Sequence, residues 1–212
     1  QGVSVTGSGI RSVTVSPTVG TNNKDAFLLN GESTVCHLTV KGVYYDSINN
    51  TGYGFKFAPN FKVTTRSPYI QNVSVLNSLP NAGPGALADG SVADPTSVQA
   101  SMLFHAVTFI VPNADGITAT NGARVEWLNS FTYFANRGIY LTEGTLGFAS
   151  LGVKFGAEMR SIGSANVYGN YGAVADGAST LGYLVGHNFG YIGTGLDSQN
   201  DYGLVIQANE VV

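Results

Sequence analysis

A short β-forming run, opened by glycine and closed by a polar turn, recurs along this chain and constrains its fold more than any other feature. It occupies 85–90, 116–122, 138–144 and 172–177, with looser copies at 25–31 and 54–60. A second kind of segment places apolar residues three apart, as Val35/Leu38, Ile70/Val73, Leu103/Ala106, Val125/Leu128 and Met159/Ile162. Leu103 precedes Gly116 by thirteen residues, the interval that also separates Val125 from Gly138 and Met159 from Gly172. Such fixed-interval self-similarity is the mark of a repeat architecture, in which no unit buries its apolar face alone.

Neighbouring residues in a strand point to opposite faces, so two inward residues should lie two apart. A spacing of three requires a sharp bend between them. The leading glycines are expected to supply positive φ at another corner. Several strands per coil, joined by tight corners, with about 22 residues from Gly116 to Gly138, describe a coil of a parallel β-helix. The expected fold is therefore all-β, a right-handed single-stranded parallel β-helix of about six or seven coils, forming one domain over 1–212. Loops should bulge from corners at 41–51, 77–101 and 145–158. Asn72, Asn113, Asn136 and Asn170 suit corner positions, where their amides can bond adjacent backbone. An antiparallel sandwich is the competing architecture, and it predicts hairpins without a fixed register. Sustained amphipathic-helix periodicity is absent from the sequence.

Only 11% of residues are charged, the net charge is −3 and the pI is near 5.5. No basic stripe offers itself to nucleic acid. No apolar run approaches the roughly 18 residues of a membrane-spanning helix. The single cysteine, Cys36, has no internal partner. The opening Gln1-Gly2-Val3-Ser4-Val5 has neither an initiating Met nor a signal-like region, and reads as a piece of a longer product.

The segment Ala135-Asn136-Arg137-Gly138-Ile139-Tyr140-Leu141 resembles right-handed β-helix repeats of the pectin-lyase-like and tailspike type. The run from Ala123 to Gly138, together with 183–193 and 205–212, is similar to segments of large virion structural proteins of tailed bacteriophages. The likeness covers about residues 100–212 well and the first hundred poorly. It implies a structural module of a phage tail, baseplate or tailspike, located in the virion. Its partners would be other virion proteins and host surface polysaccharide, with homotrimeric assembly. It implies neither nucleic-acid binding nor membrane insertion, and it carries no catalytic residues or cofactors over to this chain.

Chemistry-bearing residues are sparse. His37 and His105 are read into one column with Asn72, Trp127 and Ser161; a metal or catalytic ladder would need ligands at metal spacing, which are missing. His187, in a glycine-rich run, reads as structural. Asp89 and Asp176 occupy matching turn positions near Glu143, while Glu126 and Glu158 border the other strand and could line a groove. Glycoside hydrolysis needs two such acids roughly 5–10 Å apart, so a polysaccharide-degrading enzyme stays as the alternative function. The loop Asp197–Gly203 fails the calcium-loop pattern, because Tyr202 stands where its glycine belongs. Gly193-Thr194-Gly195 is too short to cradle phosphate. Tyrosines are numerous on so uncharged a chain, among them Tyr133, Tyr140, Tyr168 and Tyr171. Tyr44, Tyr45 and Tyr53, flanking a loop, are the candidate glycan-binding residues, since a tyrosine packs at one end and hydrogen-bonds at the other.

Overall fold

The computed structural model describes residues 3–18, 20, 22–29, 32–57, 67–90, 102–143, 147–148, 153–154, 156–177, 180–190 and 202–207. No described residue is helical. Three columns of short parallel strands are stacked in register. The first holds Ser4–Thr6, residues 34–36 and 69–71, Met102–His105, Arg124–Leu128, Glu158–Ile162 and Leu181–Val185. The second holds Thr14–Val15, residues 39–41 and 74–76, Thr108–Ile110, Phe131–Tyr133, Ala165–Val167 and Asn188–Gly190. These two columns form one sheet, because the eight-residue strands Thr34–Lys41 and Tyr69–Leu76 run through both. The third column is a separate sheet in strict sequence order: Phe27–Leu29, Phe55–Phe57, Ala86–Asp89, Ile117–Thr120, Arg137–Thr142, Tyr171–Asp176 and Tyr202–Gln207.

This is a β-helix-like parallel fold, and it displaces the antiparallel sandwich. Among the described residues the one antiparallel pair of named strands is Gly147–Phe148 with Val153–Lys154, a small hairpin inside the expected 145–158 loop. The loop expected at 77–101 is interrupted by the strand Ala86–Asp89, and its 91–101 portion lies outside the described residues.

The bend between the first and second columns is made by one residue per level. His37, Asn72, Ala106, Asn129, Gly163 and Gly186 are in register there, with φ of 59°, 50°, 52°, 48°, 62° and 60°. The bend at a left-handed residue turns the side chains two before it and one after it inward, which produces the spacing of three. Val35/Leu38 and Ile70/Val73 are such inward pairs, as expected. In later levels the inward pairs are Phe104/Val107, Trp127/Ser130 and Ser161/Ser164, so the pairs expected at 103/106, 125/128 and 159/162 are misaligned by one or two residues. Of the three equal thirteen-residue intervals, those from Val125 and Met159 are in register, since Val125 is aligned with Met159 and Gly138 with Gly172, whereas Leu103 is aligned with Glu126. Ile110, Tyr133 and Val167 are aligned, yet six residues separate Ile110 from Gly116 where five separate Tyr133 from Gly138 and Val167 from Gly172.

The glycine column itself is real, although its cause differs from the expected one. Gly54, Gly85, Gly116, Gly138 and Gly172 are aligned, and none lies in the left-handed region. They are glycine because there is no room for a Cβ. At Gly116 it would meet the Gly138 carbonyl and Thr132; at Gly85, the Gly116 carbonyl and the Phe109 ring; at Gly138, the Asn166 side chain and the Gly172 carbonyl. Each coil thus presses its backbone against the next coil and against the second column across the interior.

Candidate functional site

The corner between the second and third columns carries a polar concavity. A groove of about 410 Å³ is lined there by Tyr45, Ser47, Tyr53, Asn81, Asn113, Asp115, Asn136 and Arg137, with Pro80, Pro84 and Pro112 stiffening its walls. It is positioned by the glycine column, because Tyr53, Pro84, Asp115 and Arg137 each immediately precede one of the column glycines. Residues that are far apart in sequence thereby become neighbours one strand spacing apart.

Two of the three candidate tyrosines line this groove. Tyr45 is exposed (37%), while Tyr53 is buried (6%), its ring edge-on to Tyr45 at 5.7 Å. Both hydroxyls donate to Asn50 Oδ1, at 3.1 Å from Tyr45 and 2.7 Å from Tyr53. Burial drives the Tyr53 phenol far above its ordinary pKa, so it stays protonated and donates. Tyr53 is therefore not the exposed contact expected from its place beside a loop; it is the floor on which Tyr45 stands. Tyr44 is half-buried and its amide donates to the Asn22 carbonyl, while Ala82 pairs with it as an antiparallel bridge. It does not line the groove. The loop that carries Tyr45 is folded on Asp46, which accepts from the Ile48 and Asn49 amides and from the Asn49 and Asn23 side chains. Asn49 above all holds the Asp46 carboxyl below its usual range.

The polar wall is an ion pair missed in sequence. Arg137 Nε and Nη2 donate to Asp115 Oδ1 and Oδ2 at 2.8 and 2.6 Å, a bidentate fork, and the guanidinium lies 3.5 Å from the Tyr140 ring centroid. Burial works against the Arg137 charge, but the hydrogen bonds and pull of Asp115 outweigh it, and its pKa sits above the ordinary value. The available signal was positional: opposite charges stand immediately before consecutive column glycines, 22 residues apart. The groove can therefore offer an aromatic edge, amide groups that both donate and accept, and a fixed charged pair without net charge. That set suits polyhydroxylated ligands.

A second groove of about 400 Å³ lies on the outer face of the first column, lined by Arg124, Glu126, Glu158, Arg160, Tyr183 and Val185. Arg124 is aligned with Glu158 and Glu126 with Arg160, a checkerboard in which Arg124 Nε is 3.4 Å from Glu158 Oε2. Glu126 and Glu158 do share a groove, as expected. Both lie on one strand face, and the four charges cancel.

The other candidates are dispersed. Asp89 and Asp176 share a column with Thr120 and Thr142 between them. Three strand spacings, roughly 14 Å, separate the two acids. Each is the last residue of its strand rather than a turn residue, and each accepts from a neighbouring coil: Asp89 from the Asn121 side-chain amide and Asp176 from the Tyr140 hydroxyl. His105 is not aligned with His37; it lies one position earlier, in the outward column of Cys36 and Gln71, while Trp127 and Ser161 are interior. His187 is half-buried, its Nδ1 2.9 Å from Ser161 Oγ and its ring packed on Phe189; burial lowers its pKa to about 4. Among the described residues no three His, Cys, Asp or Glu side chains gather to hold a metal ion. Residues 191–201, with the loop weighed for calcium, lie outside the described residues except for the backbone from Tyr202 onward.

No protein-family model, curated protein or solved structure matches the chain.

Proposed function

We propose that the chain is a right-handed single-stranded parallel β-helix of about six or seven coils, serving as a structural module of a phage tail, baseplate or tailspike that binds glycan along one corner. The aligned strand columns support the solenoid, and the likeness of 123–138 to virion proteins supports the setting. The observation that carries the binding role is the corner groove, where an exposed Tyr45 faces Asn81, Asn113 and the Asp115–Arg137 pair. Sites that orient a ligand by a few fixed polar groups beside an apolar wall are the usual form of small-molecule recognition. An array of bacterial surface polysaccharides tests it: the chain should retain a subset of spots, and Tyr45→Ala should weaken them about tenfold. Uniform blankness would sink the reading. Outward Tyr183 and Val185, 51% and 58% exposed, favour contact with other virion subunits or self-association as a homotrimer. Light scattering on the purified chain decides that.

A polysaccharide-degrading enzyme is the second reading, favoured by Glu126 and Glu158 sharing one groove. Release of reducing ends from a bound polysaccharide, lost in both Glu126→Gln and Glu158→Gln, would establish it; no release would remove it.

A further inference from the structure

The outer face of the first column carries a pattern that reads alike in both directions along the coil axis. Leu103, Glu126, Arg160 and Tyr183 are aligned on four consecutive levels, so the row runs apolar, acidic, basic, apolar. The row beside it, His105, Leu128, Ile162 and Val185, has two aliphatic residues at the same centre. On the other side Arg124 is aligned with Glu158, with the signs inverted, which completes the checkerboard of four charges. All of these side chains point outward: Arg124, Arg160, Tyr183 and Val185 are exposed and the others half-buried. Arg124 and Glu158 meet at 3.4 Å, whereas among the described residues Glu126 and Arg160 belong to no ion pair.

Such a face is complementary to itself. A second copy can be turned over about a two-fold axis that runs along the strands, midway between the Glu126 and Arg160 levels, and laid on it. Glu126 then faces Arg160 of the second copy, Arg124 faces its Glu158, Leu128 its Ile162 and Tyr183 its Leu103, each contact made twice. A two-fold along the coil axis is poorer, because it sets Leu128 against the Gly122 turn. Centring the axis on either charged level sets Glu126 against Glu126 or Arg160 against Arg160, and like charges across a contact are strongly disfavoured. The apolar pairs supply the attraction, while the charges fix the register, since a desolvated ion pair roughly breaks even. We infer that the outer face of the first column is a two-fold docking surface for a second copy of this chain, with the coil axes antiparallel. The patch spans three strand spacings, roughly 14 Å, which is small beside the ~800 Å² per partner of a standard interface. The dimer is therefore expected to be weak and dependent on concentration. The inference goes beyond the self-association named for Tyr183 and Val185, because it fixes the partner, the axis and the pairs, and it is independent of the corner groove.

Sedimentation velocity up to about 1 mM protein tests it on the unaltered chain, on Glu126→Arg, on Arg160→Glu and on an equimolar mixture of the two variants. The unaltered chain should dimerise, and each charge variant alone should do so at least about tenfold more weakly, because like charges then meet twice. The mixture should regain the dimer, since the arginine introduced at position 126 in one variant faces the glutamate introduced at position 160 in the other. No pairing within one copy produces that rescue, and neither does a two-fold along the coil axis, which would set position 126 against Arg124. Tyr183→Ser, at a position 51% exposed, should weaken the dimer about tenfold. It carries the test should melting curves show that a charge variant has not folded. A monomer throughout the range, a dimer indifferent to Tyr183→Ser and to both charge variants, or a dimer lost in both folded charge variants and not regained on mixing would each overturn the inference. A trimer would overturn it in favour of the three-fold assembly.

Discussion

The same three inward positions are filled by different chemistry at earlier and later levels of the stack, before Leu184 and Phe189 bring apolar side chains back one level further on. In the earlier levels they are Val35, Leu38 and Val40, then Ile70, Val73 and Val75, then Phe104, Val107 and Phe109, all buried. Two levels on they are Ser161, Ser164 and Asn166, equally buried. Trp127, Ser130 and Thr132 form the transition. The early interior holds by volume and ring contact: Phe104 meets Phe57, Phe109 and Trp127 at 5.8, 6.4 and 5.5 Å. The late interior holds by hydrogen bonds between coils and across the interior of one coil. Ser164 Oγ accepts from the Ser130 amide at 3.1 Å, Ser130 Oγ accepts from the Val107 amide at 3.3 Å, Thr132 bonds Asn166, and Asn166 Nδ2 donates to the Gly172 carbonyl at 2.5 Å. A stack sets the backbone spacing first, and either kind of interior will serve so long as every polar group inside it is answered. Two among the described residues are not: Trp127 Nε1, where the two chemistries meet, and His187 Nε2 are buried without a partner.

The largest effect should come from the apolar end. Phe104→Ala is expected to cost about 3–5 kcal/mol, because its neighbours are rings that cannot collapse into the void; denaturant titration measures it. At the polar end Asn166→Ala should cost about 1–3 kcal/mol by stranding the Gly172 carbonyl and the Thr132 hydroxyl. If it cost as much as Phe104→Ala, the distinction between the two interiors would be lost. Replacing both partners sharpens it: Thr132→Val with Asn166→Val should cost less than Asn166→Ala alone, since the Thr132 hydroxyl is then no longer left unanswered.

His187 extends the polar interior and makes it sensitive to acid. Its folded pKa, lowered to about 4 by burial, lies below the unfolded value near 6.5. Above pH 6.5 both states are neutral and the group has no effect on stability. Between about 6.5 and about 4 the unfolded chain takes up the proton first, so stability falls across that window. This fall should be absent from the His187→Phe variant and should appear in the difference between its melting temperature and that of the unaltered chain, followed against pH. The smallest effect is at the surface: Phe134, stacked on Tyr168 at 5.6 Å, has a φ of 59°, and Phe134→Gly should raise stability by about 1 kcal/mol by relieving that left-handed backbone. A loss there would mean that the ring packs more than it exposes.

The chain's own letters determined the all-β class, the stacking of coils and the glycine column, since spacing between repeats survives in sequence. They also marked Tyr45 as an exposed residue flanking a loop and Glu126 with Glu158 as candidates to line a groove. Register in the later levels was hidden for two reasons. One corner, between Ile110 and Gly116, is a residue longer than its successors. The inward residues also turn polar at Ser161, Ser164 and Asn166, so hydrophobicity no longer marks the inside. Only the tertiary structure decided that Tyr53 is a floor rather than a contact, that Asp115 and Arg137 pair across a coil, and that Phe134 lies under Tyr168. Those facts depend on which residues become neighbours one strand spacing apart, and that is fixed by corner lengths and close backbone contact between coils, not by the character of any single side chain.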